Sequence, residues 1–420
     1  MENLGHILPL WSILPFVLML LTIAIAPLLN EHFWEKNKNK AIFSVVYSIP
    51  IIILFYFFKD FHPLLHEVKE YFSFIVLLGS LYIVSGGIFL AGDILGTPKN
   101  NTLFLLIGGI IANIFGTTGA SMLLIRPILR INRERNYISH IPIFFIFIVS
   151  NIGGCLTPIG DPPLFMGYLR GVPFFWSLRL FPEWAFMMLI ILSVFYFIDK
   201  HYYKKEAESI KKLDKIAYEP LKLFGRRNLI LIFAIIASVI FLRTPYREFL
   251  MILVSIISLK YTPKYIREKN EFNFAPIVEV AVLFAGIFIT MVPALLILEA
   301  KGGEMGITKP WHFFWITGFL SSFLDNTPTY LTYLSLAQGL AHSTGLPQEV
   351  AGIPNSILAA ISLAAVFMGA NTYIGNGPNF MVKVICEHQK VKMPSFFGFL
   401  LKAIIFLFPC FILITLLFLI

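Results

Sequence analysis

The residues with chemistry to offer in this chain are a few carboxylates, amides and hydroxyls inside otherwise apolar segments, and they come in pairs. The run Thr157-Pro158-Ile159-Gly160-Asp161-Pro162-Pro163-Leu164-Phe165-Met166 is matched by Thr372-Tyr373-Ile374-Gly375-Asn376-Gly377-Pro378-Asn379-Phe380-Met381. At a constant offset of 215 residues Thr, Ile, Gly, Pro, Phe and Met recur, and Asp161 falls opposite Asn376. Gly and Pro interrupt helical hydrogen bonding. In lipid, unwound backbone is tolerated only where protein buries it or water fills a cavity. Paired interruptions of this kind point to the midplane site of a secondary transporter.

Two more segments, 103–129 and 311–340, carry polar or breaking residues at their middles. These are Asn113, Gly116, Thr117, Thr118 and Gly119 in the first, and Ser321, Ser322, Asp325, Asn326, Thr327 and Pro328 in the second. Four polar breaks therefore converge, and their chemistry suits a small ion. Half-helix N-termini present unpaired N–H groups and a positive dipole end. Half-helix C-termini and unwound carbonyls present oxygens that coordinate hard cations. Thr117, Thr118, Asn151, Thr157, Asn326, Thr327, Thr372, Asn376 and Asn379 supply neutral ligands, and Gly116, Gly160 and Gly375 allow close backbone approach. Asp161 and Asp325 add one carboxylate per half.

A sodium site is expected from Thr117, Asp161, Asp325, Asn326 and Asn376. Charge at the bilayer centre is expensive and usually functional, so Asp161, Asp325 and Glu279 are the candidates for proton coupling. Glu279 also lies where it could snorkel to the interface. Asp161 before Pro162, and Asp325 before Asn326-Thr327-Pro328, are good helix N-caps as well; capping and ion binding are compatible. Burial favours a carboxylate's protonated form and a nearby cation its ionised form. One Asp can thus exchange H⁺ for Na⁺.

The elements that position these residues must be membrane helices. Of the residues, 57% are hydrophobic and 14% charged, with a mean hydropathy of +0.79; soluble domains carry about 25% charged residues. Spanning runs recur at 9–29, 41–58, 73–95, 182–198, 276–298 and 396–420. Met1 to Leu8 has no Lys or Arg, which predicts a retained first span and not a signal peptide. Cys155, Cys386 and Cys410 sit in apolar context without CxxC spacing and read as core residues.

The net charge of +9 is distributed as a topology signal, not as a nucleic-acid footprint. With the N-terminus outside, the inner segments hold 24 of the 33 Lys and Arg and the outer segments eight. That is the positive-inside bias. It makes 103–129 a hairpin entered from the inside and 311–340 one entered from the outside. The expected fold is an all-α polytopic membrane protein of two inverted repeats, each with five spans, one re-entrant hairpin and one broken helix. The first repeat is 1–199, with its broken helix at 141–171. A basic cytoplasmic linker, 200–227, leads to the second repeat, 228–420, with its broken helix at 355–387.

The paired broken helices and the tip Asp325-Asn326-Thr327-Pro328-Thr329 resemble the ion transporter superfamily. The run Ser150-Asn151-Ile152-Gly153-Gly154-Cys155-Leu156-Thr157-Pro158-Ile159-Gly160-Asp161-Pro162-Pro163 is most similar to its NhaD-type sodium/proton antiporter and short citrate transporter-like branches. The resemblance covers nearly the whole chain. It implies inverted repeats, re-entrant hairpins, a homodimer and elevator-type alternating access. Carboxylate carriers of the superfamily carry Ser-Asn-Thr at each hairpin tip. Here Asp325 replaces Ser in one, and the other reads Gly116-Thr117-Thr118 without Asn. An aspartate would repel a carboxylate substrate. The expected function is therefore Na⁺/H⁺ antiport, with a Na⁺- or H⁺-coupled citrate-like carboxylate or arsenite-like oxyanion carrier as the alternative. No HExxH, DDxxD or Gly-x-Ser-x-Gly is present, so no enzyme is expected. The expected partners are the lipid bilayer and a small inorganic cation or small anion, in a plasma (inner) membrane; no cofactor is expected, Na⁺ or H⁺ being the transported or coupling ion.

Overall fold

In the computed structural model, residues 2–34, 36–216 and 219–420 are described. The chain is mostly helical, and the order of elements repeats. Leu14–Leu29, Asn37–Phe58 and His62–Ser85 are followed by a kinked segment, Pro98–Ile131. Then come a helix broken between Ile141–Ile148 and Pro162–Leu169, and a long helix, Phe181–Lys205. The second half runs Arg227–Phe241, Tyr246–Tyr261, a pair Ala275–Thr290 and Val292–Lys301 bent by 43°, and the kinked pair Pro310–Phe323 and Asn326–Thr344. A helix broken between Asn355–Met368 and Gly377–His388, and the C-terminal helix from Phe396, complete it.

Six helices among the described residues are long and apolar enough to cross a membrane, or seven with the bent pair as one. This is fewer than the ten expected spans. Each broken helix is divided into pieces, and Arg227–Phe241 and Tyr246–Tyr261 have 15 and 16 residues, just under the usual range of about 17–25. The outer helices turn apolar side chains outward, as Val45, Ile49, Ile52 and Tyr56 do on Asn37–Phe58. Exposed apolar surface on this scale is what lipid covers.

By length and apolarity Pro98–Ile131 passes for one long span. Its contacts say otherwise. Asn101 and Asn132 exchange amide hydrogen bonds, 2.9 Å each way, although a straight helix would hold them about 46 Å apart. The reversal is at Gly116, whose φ of 73° and ψ of 155° suit a residue without a Cβ. The second pair turns where Leu324 and Asp325 are both extended. Gly303 lies against Ser343, and the seven residues from 303 to 310 reach at most about 25 Å. A straight rod from 310 to 343 would be about 50 Å long, so these arms fold back as well.

Packing between the halves is reciprocal. Asn37–Phe58 lies on Ala275–Thr290, and His62–Ser85 lies on Tyr246–Tyr261. Pro98–Ile131 packs on Gly377–His388, the outgoing piece of the second half's broken helix, and Asn326–Thr344 packs on Pro162–Leu169, that of the first half.

One element departs from an all-helical chain. Phe89–Asp93 (β1) pairs antiparallel with Glu219–Phe224 (β2). The segment expected as a linker thus contributes the end of Phe181–Lys205, a helix Glu208–Ile216 and a strand. Gly92 has φ of 101° and faces the Pro220 carbonyl too closely for a side chain. Arg130 ties β1 to the first hairpin by donating to the carbonyls of Gly92 (3.0 Å) and Leu90 (2.6 Å).

Candidate functional site

The two breaks have the same internal construction. In each, a short 3₁₀ turn, Ile152–Leu156 or Gly369–Asn371, leads to an extended threonine and then an extended residue before the helix resumes. Thr157 and Thr372 have φ/ψ of −140°/154° and −138°/169°; Asp161 and Asn376 have −140°/141° and −151°/139°. The Thr157 hydroxyl donates to the Asn113 carbonyl (2.6 Å) and accepts from the Gly160 N–H (3.0 Å). The Thr372 hydroxyl donates to the Ser322 carbonyl (2.5 Å) and accepts from the Gly375 N–H (3.1 Å). Gly160 and Gly375 must be glycine, because a Cβ at either would collide with the carbonyl of Gly154 or Gly369.

Asp161 stands where all four breaks meet. Its Oδ1 accepts from the Thr117 hydroxyl of the first hairpin tip (2.7 Å) and from the Asn376 amide of the opposite break (3.0 Å). Its Oδ2 accepts from the Asn326 amide of the second tip (2.6 Å). The side chain is fully buried and does not cap the helix it precedes. Thr117 N–H also donates to the Gly160 carbonyl (2.7 Å). Hydrogen bonds to an ionised acceptor contribute about 1.5–3 kcal/mol each, so three of them can hold a carboxylate that lipid would not.

The amides extend this knot across the halves. Asn151 donates to Asn379 Oδ1 (2.7 Å) and accepts from Asn376 (3.2 Å). Asn379 in turn donates to the carbonyls of Gly369 (2.9 Å) and Thr372 (2.8 Å). Asp325 is different: its carboxylate caps Asn326–Thr344 by accepting from the Thr327 N–H (2.9 Å). It remains partly exposed. The Thr327 hydroxyl lies 3.5 Å from Asn326 Oδ1. Thr118 is half-buried beside the first tip, next to Gly116 and Thr117.

Glu279 is not brought to this centre. It pairs at 2.7 Å with the buried Lys40 of the neighbouring helix. Two residues outside the expected set do belong: Asn113, which also accepts from the Leu156 N–H (2.8 Å) and donates to the Gly153 carbonyl (2.6 Å), and Ser322, which accepts from Asn371 (2.8 Å). Both were visible as polar residues in the hairpin middles. Their role depends on which break each arm leans against, which spacing alone does not give.

Four half-helices begin at this centre, after Gly116 and at Pro162, Asn326 and Gly377, so their positive ends converge on it. The arrangement offers donors, hydroxyls and two carboxylates to a small charged species at the crossing of two matched breaks. No curated protein matches the chain. The family described as putative citrate transport matches residues 5–419, and the chain belongs to that family of multi-pass membrane transporters.

Proposed function

We propose that the protein is a secondary active transporter that exchanges Na⁺ for H⁺ at the Asp161 centre. The observation that carries this reading is the destination of the donors. Thr117, Asn326 and Asn376, the groups that would hold a substrate carboxylate, are all turned onto the protein's own carboxylate. An internal anion in that place makes a cation the complementary cargo. The Thr117 hydroxyl can reverse from donor to acceptor, so Asp161 can take up a proton without leaving it unpaired. Asp325, with an accessible carboxylate at a helix start, is the second exchanging group. In this reading the two halves are inverted repeats with re-entrant hairpins, the chain is a homodimer with basic loops in the cytoplasm, and the hairpins and broken helices move as one body.

The family's description favours a second reading, a cation-coupled carrier of citrate-like carboxylates. There the converging N-termini hold the anion, and the aspartates hold the coupling ion. Proteoliposomes separate the two. Na⁺ imposed outside should drive proton movement, read by an entrapped pH dye, with no uptake of radiolabelled citrate. Citrate uptake without Na⁺-dependent proton movement would reverse the choice.

A further inference from the structure

The two half-helices that leave the breaks are matched in sequence but not equally covered. Phe165 on Pro162–Leu169 is 1% exposed, while its counterpart Phe380 on Gly377–His388 is 38% exposed. Gly377 is exposed too, with open space where a Cβ would stand. The difference is one of packing. His62–Ser85 lies against Pro162–Leu169. Its counterpart, the bent pair from Ala275 to Lys301, makes no comparable contact with Gly377–His388 among the described residues.

A set of polar contacts holds the covered side. Arg170, directly after Pro162–Leu169, donates through Nε to Glu70 Oε2 (2.8 Å) and pairs through Nη2 with Glu67 Oε1. Both acids are buried, and they share one face of His62–Ser85. His66 stands 3.7 and 3.8 Å from the same carboxylates. The Arg247 guanidinium lies 5.7 Å over the rings of Phe165 and Tyr168, and the Tyr168 hydroxyl donates to the Val239 carbonyl (2.6 Å). On the uncovered helix, Lys383 instead faces Tyr373, Phe380 and Glu387, all of its own broken helix.

We infer that the structure is the inside-facing state, and that Arg170 with Glu67 and Glu70 is the latch that keeps the Asp161 helix closed on the outside. The inference rests on the transport reading and its orientation, in which Pro162–Leu169 leads outward and Gly377–His388 inward. Removing one partner of a buried ion pair leaves a charge uncompensated, which is strongly unfavourable. Contacts made in only one of two states set the balance between them. The latch therefore biases the resting protein toward the inside.

Sided labelling tests this in the full chain. The buried Cys155, Cys386 and Cys410 are replaced, Phe380→Cys is introduced, and a membrane-impermeant maleimide is added to vesicles of either orientation. Phe380→Cys should label from the inside and not from the outside. Adding Arg170→Gln, or Glu67→Gln with Glu70→Gln, should slow inside labelling several-fold, with Arg170→Lys falling between. If these variants fail to fold, the triple change Arg170→Met, Glu67→Gln and Glu70→Gln leaves no unpaired charge and should slow labelling likewise. An unchanged rate, or labelling from the outside, overturns the latch. Labelling reads conformation, not cargo, so a failed ion-flux assay leaves this result standing, and intact flux with unchanged labelling removes only the latch.

Discussion

At the scale of single residues, the two aspartates do different work. Asp161 has donors on both oxygens, and Asp325 spends one oxygen on a helix cap. Asp161→Asn should keep the protein folded, because the Asn326 amide can turn over to meet the new NH₂ group, but it removes the titrating proton. Na⁺-driven proton flux should fall to background while size-exclusion behaviour is unchanged. Asp161→Ala should also destabilise the protein, by about 2–5 kcal/mol, since three buried donors lose their acceptor. Asp325→Asn keeps the cap and should abolish flux at least as completely. Persistent flux in either Asn variant would remove that residue from ion exchange. Most of this set was readable in the chain, because a carboxylate beside Gly and Pro in an apolar run is conspicuous. The hydrogen bonds were not, since Thr117, Asn326 and Asn376 come from three separate segments that only the fold brings together.

At the scale of elements, the breaks were legible and the joints were not. Gly116 marks its own reversal because φ of 73° excludes most side chains. Gly116→Ala should therefore straighten or strain the first hairpin, displace Thr117 from Asp161 and lower both thermal stability, by about 1–2 kcal/mol, and flux. Wild-type melting and flux in that variant would show the turn to be permissive. The β1–β2 pairing gave no sequence signal, because Phe89-Leu90-Ala91-Gly92-Asp93 continues an apolar run and its partner strand lies 130 residues later. That joint carries a titratable strain. Burial, with Glu134 nearby, pushes the Asp93 carboxyl up to about 6, against the pull of Arg133. Both its oxygens lack a hydrogen-bond donor, and Arg133 stands 3.5 Å away. An acid whose folded value is raised binds more protons when folded, so the joint is tightest below the ordinary carboxylate range and loosens as pH rises through about 6. Asp93→Asn should melt higher than the wild type at pH 8, with the gap closing toward pH 5. A gap independent of pH would mean that Asp93 titrates normally.

At the scale of the whole molecule, the contacts fall into two groups. Hairpins, broken helices and the last helix of each half bond mainly to one another. The clearest case is the Asp199 cluster, where Arg135 (2.6 Å), His140 (2.9 Å) and Asn101 (2.9 Å) tie the open end of the first hairpin to Phe181–Lys205. The first three helices of each half form the other group. The two groups meet where Val292–Lys301 packs on Asn326–Thr344 and His62–Ser85 packs on Pro98–Ile131 and Pro162–Leu169, with polar contacts such as Arg126 to Glu271 at 2.8 Å. Under the proposed transport reading, these two bodies move relative to one another, and a bond within one body should not stop that motion. Ser121 and Ser150, whose hydroxyls are 2.8 Å apart, lie in the same group. Ser121→Cys with Ser150→Cys, oxidised to a disulfide, should therefore transport as well as the reduced form. Arg126→Cys with Glu271→Cys, bridged by a short bifunctional thiol reagent, should stop transport until the bridge is cleaved. Loss of transport on oxidising the first pair, with none on bridging the second, would place the moving boundary elsewhere in the fold.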